Sequence, residues 1–409
     1  MTAEPTSEVF LNPFEEGFFD NPYEQYRRLR EKAPIHQSPV GPWTLLRYED
    51  CSRLLRDPSL SVEDKNSTVS LRNEIFSAAN IERNDRGSKA ILNIDPPDHT
   101  RIRRLVSKAF TPRRIEELVG TTQTLVDNML DEIEAKGSLD IIPDLAFPLP
   151  FAVISRMLGM PETDSEKVRE WSHTLVKTLE PILDPEELKG LMEAGDLLRG
   201  RVLEVIEDKR KAPADDLLSA LIAAEEEGDR LSAEELIDQV MLLYIAGHET
   251  TVNLIGNGML ALLRNPDQLK LLQDNPELIN NGIDELLRYD SPVQFTRRIA
   301  LDDMDIDGNT VAGGSMIFAM LGGSNHDPEH FGPSADALDL TRREAPHHLS
   351  FGGGIHHCLG AVLARMEGRV GISSLVQRFP QMNLTDEPAA WNRRLVLRGL
   401  DKLPVNLET

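Results

Sequence analysis

The chain has 409 residues, of which 40% are hydrophobic and 27% charged, and its formal net charge of −24 argues against nonspecific attachment to nucleic acid or an anionic membrane. Aromatics at 5% are too sparse for a surface that stacks single-stranded bases. Cys51 and Cys358 make no disulfide framework, no run of about 18 apolar residues marks a membrane helix, and the opening MTAEPTSEVFLNPF has no export-signal pattern, so a reducing cytoplasm is expected.

Along the chain, NPYEQYRRLREKAP predicts a short helix, followed by strands near Ile35 and Trp43–Tyr48 and a helix through Leu54–Leu55. From about 98 to 289 apolar residues recur at spacings of three and four, the signature of amphipathic helices. Ser232 and Glu235 form a capping-box pattern that opens the clearest of them, running to about Arg264. Such a helix would span roughly 48 Å at 1.5 Å per residue. Gly247 and two threonines midway predict a distortion there. After 290 come strand-like pieces (MDIDG, SMIFAML, LVLRG) among Pro- and Gly-rich loops, then a last helix from about Cys358 to Phe379. The expected fold class is mainly α with a small β lobe. Its single domain would combine a β-rich lobe (about 22–60, 293–320 and 382–409) with a helical lobe (about 98–289 and 358–379). No repeat or low-complexity tract is visible.

The densest signal is HHLSFGGGIHHCLGAVLARMEGRV. Three glycines allow a tight turn, and suggest that something flat approaches the backbone. Cys358 follows at a helix start, where free amides and the helix dipole favour a thiolate. Three readings stand side by side: a small buried core residue, a metal or haem ligand, or a nucleophile. Zinc is invited by His347, His348, His356 and His357, but no CxxC or HxxxH spacing supports it.

FGGGIHHCLG resembles the cysteine-loop pattern F-G-x-G-x-H-x-C-x-G of the cytochrome P450 family, and four further elements follow in that family's order over nearly the whole chain. The resemblance implies the cytochrome P450 fold, with haem b between the long central helix and the cysteine-loop helix. Cys358, beside Gly360, would be the iron's thiolate ligand, Phe351 would pack near the sulfur, and His356 would bond a propionate. In AGHETT, Ala246 and Gly247 would form the oxygen groove, and Glu249 and Thr250 would guide protons. Threonine in a helix can bond the carbonyl one turn back and open the helix to water. Glu285 and Arg288, the family's E-x-x-R, would be a buried structural pair. In DPPDHTRIRRLVSKAFTP, His99 and Arg103 would share a helix face and meet a propionate. In TRRIALDD, Arg298 would meet the other, with Arg297 one residue away.

The same resemblance implies a monooxygenase that inserts one atom of O2 into a C–H or C=C bond of an apolar small molecule such as a steroid, terpenoid, fatty acid or macrolide. Thiolate ligation favours O–O cleavage. Electrons would come from a ferredoxin and its NAD(P)H-dependent reductase. Arg101, Arg104, Lys108, Arg113 and Arg114 are candidates to dock an acidic ferredoxin. The pocket would draw on the 60–93 loop, Leu243, Val293, Phe295 and Val396. A monomer is expected. The competing readings are a zinc hydrolase built on the histidine-rich loop, and a haem-binding sensor or carrier without turnover.

Overall fold

The computed structural model describes residues 10–39, 41–68, 88–161, 165–180, 186–226 and 229–407. Residues 69–87 of the 60–93 loop lie outside them. The long helices start and stop where local chemistry dictates. Thr111 accepts a bond from Arg114 N (3.4 Å) to cap Pro112–Lys136, and Gly137 ends that helix at φ +68°. Ser232 and Glu235 close the expected capping box, with Ser232 N donating to Glu235 Oε2 at 2.8 Å.

The expected single helix from Ser232 to Arg264 is two: Ala233–Gly247 and Glu249–Arg264, meeting at His248 (φ −101°, ψ −49°). The residues that predicted a distortion are those at the break. Its C-terminal half is buried along almost its whole length. It packs against Ala361–Arg378 and Ile279–Tyr289, the helices carrying the end of the cysteine loop and the E-x-x-R pair. That close approach needs Gly368, where a Cβ would lie 2.8 Å from Ile283 and 2.9 Å from Leu254.

Five strands form the main sheet, in the order Ile35–Gln37, Trp43–Leu45, Met316–Ala319, Thr296–Ala300, Leu60–Ser61. Chain regions 22–60 and 293–320 therefore share one sheet. The 382–409 region does not join it. Asn383–Leu384 and Pro404–Asn406 pair instead with Leu139–Asp140 from the helical region, and Ala390–Trp391 pairs with Leu400–Lys402. LVLRG is likewise no strand. It touches its neighbour through one bridge, Val293 to Leu397. No helix among the described residues is long and apolar enough to cross a membrane.

Candidate functional site

The cysteine loop is built backbone against backbone. Gly352 and Gly354 take φ of +69° and +64°. A Cβ on Gly354 would sit 2.4 Å from Leu55 O, and one on Gly353 would sit 3.3 Å from Leu55 Cβ. At two of the three glycines the close protein neighbour is the end of the Tyr48–Arg56 helix. Cys358 N donates to Phe351 O (2.9 Å), closing the turn. Cys358 is exposed, whereas Cys51 is buried and donates its thiol hydrogen to Leu45 O.

Desolvation by the surrounding chain raises the Cys358 thiol above its ordinary value, against the pull of the Gly360 amide, Arg103 and Arg365. The amide of Gly360 at the helix start acts in the direction expected of it, toward the thiolate. A metal cation is what would displace the proton. Phe351 is half-buried beside the sulfur's turn, with the Arg365 guanidinium 4.6 Å over its ring.

Behind the loop, Glu285 and Arg288 are both fully buried and joined at 2.7 and 2.9 Å. Arg288 also donates to the carbonyls of Asn325, Ala335 and Ala337. A third member went unnoticed in the sequence: Arg342 donates to Glu285 Oε1 at 3.2 Å. Nothing local marks Arg342, since its partner lies 57 positions away. Asn325 then bonds Ser350 Oγ and Leu349 N, carrying the network to the cysteine loop.

At the helix break, Thr250 Oγ1 donates to Ala246 O (2.9 Å) and Thr251 Oγ1 faces Gly247 O (3.5 Å). Leu243, Ala246, Gly247 and Thr250 are half-buried, although the helix runs through the interior. Glu249 faces elsewhere, because neighbours on a helix point about 100° apart. Its carboxylate pairs with Arg394 (2.5 Å) and His173 (3.5 Å), and lines a cavity of about 490 Å³ with Ile142, Phe147 and Leu400. Burial alone would raise that carboxyl, but His173, Arg394 and His248 outweigh it and hold it at about 2. Glu249 and Thr250 are therefore adjacent in sequence without being brought to one spot. A carboxyl group the sequence reading missed, Glu367, lies buried in the Ala361–Arg378 helix. Burial pushes it well above the carboxylate range despite a bond with Thr251. The run AVLARMEGRV holds Arg365 and Arg369 as well, so nothing local singles Glu367 out.

Four cationic or basic side chains gather on the other flank. His99 is 1% exposed, and neither of its ring nitrogens has a hydrogen-bond partner among the described residues. Its ring centre lies 4.3 Å from that of His356. Arg103 donates to His357 O (2.6 Å). Arg298, 4% exposed, bonds only the carbonyl of Arg297 among the described residues. Arg297 instead pairs with Asp64 at 2.6 Å, so of the two arginines Arg298 is the buried one without a carboxylate of its own. Burial first, then the neighbouring cations, lower His99 to about 4 and His356 to about 3. Desolvation lowers Arg298 to about 10.

The pocket candidates divide. Leu243 stays half-buried near the break, and Val293 bridges Leu397. Phe295, 6% exposed, is packed with Phe18, Tyr26, Leu29, Leu46 and Met320, and Val396 packs against the same cluster. Phe295 and Val396 thus share a cluster with the N-terminal helix, whose Tyr26 supplies an aromatic partner. Among the docking candidates, Arg101 pairs with Asp229 and Glu235, Arg113 with Glu117 and Arg114 with Asp215.

An unpartnered imidazole at His99 with His356 beside it, two guanidiniums not ion-paired to carboxylates among the described residues and the Cys358 sulfur suit a flat group that carries a metal and two acidic arms, which is the chemistry of haem b. Fold and site thus define a haem-thiolate protein. The family model for cytochrome P450 matches residues 62–398. Cytochrome P450 CYP107DY1 of Priestia megaterium is 40% identical over 400 residues, covering 93% of this chain and 94% of that protein. Vitamin D(3) 25-hydroxylase of Pseudonocardia autotrophica is 40% identical over 402 residues, covering 96% of each. The solved structure of the Bacillus subtilis bacillaene polyketide synthase cytochrome P450 PksS superposes with a TM-score of 0.88 at 37% identity, covering 98% of this chain and 100% of that one. This chain belongs to the cytochrome P450 family. It is a monooxygenase, an oxidoreductase whose cofactor is haem b.

Proposed function

We propose that the chain inserts one oxygen atom of O2 into a large apolar or amphipathic molecule, of the steroid or macrolide kind, with electrons from a ferredoxin and its NAD(P)H-dependent reductase. The observation that carries the site assignment is the convergence of His99, Arg103, Arg298 and His356 beside Cys358, none of them ion-paired with a carboxylate among the described residues, although Asp95 lies near His99 and Arg298. Relatives named for vitamin D(3) hydroxylation and polyketide biosynthesis support that substrate size.

Cys358 would hold the iron, His99, Arg103, Arg298 and His356 the two propionates. When bound, haem supplies oxygen activation and electron transfer. The residues do the rest. Leu243, Ala246 and Gly247 give an apolar, small-residue face against which substrate and O2 fit. Thr250 holds a hydroxyl whose proton is directed at Ala246 O and can turn from it. Glu249 is a carboxylate at the break, on the opposite flank, and would pass a proton on only once its partners Arg394 and His173 shift. Glu285 and Arg288 keep the loop in register. Among the described residues no three His, Cys, Asp or Glu side chains are grouped as metal ligands, which disfavours a zinc hydrolase.

The test is spectroscopic. The haem-loaded, reduced protein should show the red-shifted carbon-monoxide band of thiolate ligation, and Cys358→Ala should lose it. A mutant that kept the band would refute the assignment. NAD(P)H-driven product formation with ferredoxin and reductase separates the enzyme from a sensor.

A further inference from the structure

The segment after the helix Ser165–Val176 reaches Glu180, which is 8% exposed. A buried carboxylate is costly unless its charge is met. Among the described residues no Lys, Arg or His makes an ion pair with it. Backbone meets it instead. Glu180 Oε2 accepts from Leu395 N (2.8 Å) and Val396 N (3.0 Å), and Oε1 accepts from Val396 N (3.2 Å) and Leu397 N (3.2 Å). Three successive amides converging on one anion form a nest, here closed across 215 positions of sequence.

The same loop is tied on its other edge. Gln294 N donates to Val396 O (2.8 Å), and Arg398 N donates to Pro292 O (2.9 Å). Arg393 sits at φ +54°, a left-handed conformation that a non-glycine residue keeps only where its surroundings over-determine it. Asn392 bonds both Arg394 N and Leu397 O across that turn. Arg394, next in line, reaches Glu249.

We propose that Glu180 is a positioning residue whose carboxylate clamps the loop 392–397 onto the segment after the Ser165–Val176 helix, fixing both the wall that substrate meets and the point from which Arg394 reaches Glu249. The substrate part rests on the reading of Val396, in the middle of that loop, as a pocket residue.

Hydrogen exchange on the haem-loaded protein tests the clamp without turnover. In Glu180→Ala the amides of 395–397 should exchange at least about tenfold faster, the factor that about 1.4 kcal/mol represents, while 249–264 keeps its protection. Glu180→Gln, which keeps volume and one acceptor, should fall between. Loop exchange unchanged in both variants overturns the clamp. The dissociation rate of 4-phenylimidazole, followed at the Soret band, tests the wall. It should rise in Glu180→Ala and recover partly in Glu180→Gln. Faster loop exchange with an unaltered dissociation rate overturns the role in substrate selection. Failure of the haem reading itself looks different, since the wild-type chain would then show no Soret shift with the azole.

Discussion

At the scale of single residues, Arg297 and Arg298 differ by one position and by their whole environment. Arg297 is matched by Asp64, whereas Arg298 is buried toward His356 without a carboxylate. Arg298→Gln should weaken haem retention by about 1.5–3 kcal/mol, the worth of a charged hydrogen bond, and Arg297→Gln should leave it nearly unchanged. Haem transfer to apomyoglobin measures both. The imidazoles add a pH signature. His99 and His356 take a proton in the folded haem-free chain only near pH 4 and 3, whereas an unfolded histidine does so near 6.5. Between those values the unfolded chain binds more protons, so stability falls as pH drops from about 6.5 toward 4. Glu249, held at about 2, contributes stability that is lost in a separate window, as pH falls from about 4.5 toward 2. Melting curves of the haem-free protein from pH 7 to 4 should slope less in His99→Gln, and an unchanged slope would remove His99 from that balance. Cys358, Thr250 and the E-x-x-R pair were legible because each is a local pattern. The arginine choice, Arg342, Glu367 and the partners of Glu249 were not, because burial and long-range pairing decide them.

Elements carry a different kind of information. Helix periodicity and the capping box at Ser232 located the central helix, and Gly247 with its threonines located the break. The 382–409 strands were misplaced because two- and three-residue strands hold no periodicity from which a partner could be read. The brace behind the cysteine loop belongs to this scale as well. Glu285 is fully buried and shared by Arg288 and Arg342. Removing one partner of a buried pair strands the other's charge, so Arg288→Met should cost about 3–5 kcal/mol. Denaturant unfolding of the haem-loaded protein would show it, and a loss below about 1 kcal/mol would mean that the brace contributes little.

For the whole molecule the salient quantity is charge. The chain carries −24, yet the 98–114 segment is locally basic. Arg101, Arg113 and Arg114 are already held by the chain's own carboxylates, so an acidic ferredoxin would have to compete for them. Charge reversal at Arg104 and Arg113 should slow association with the ferredoxin and flatten its dependence on salt, with little effect on haem binding. Stopped-flow reduction at several ionic strengths reports this. A rate and salt slope that stay fixed would move the docking face elsewhere.

The contact between Leu55 O and Gly354 reaches further than one turn. The N-terminal region acts as the mould in which the metal-holding bend is cast, and at Gly354 backbone lies directly on backbone, with no side chain there to absorb an error. Lengthening or shortening the Tyr48–Arg56 helix by a residue would therefore displace the sulfur itself, even though that helix contributes nothing to the chemistry.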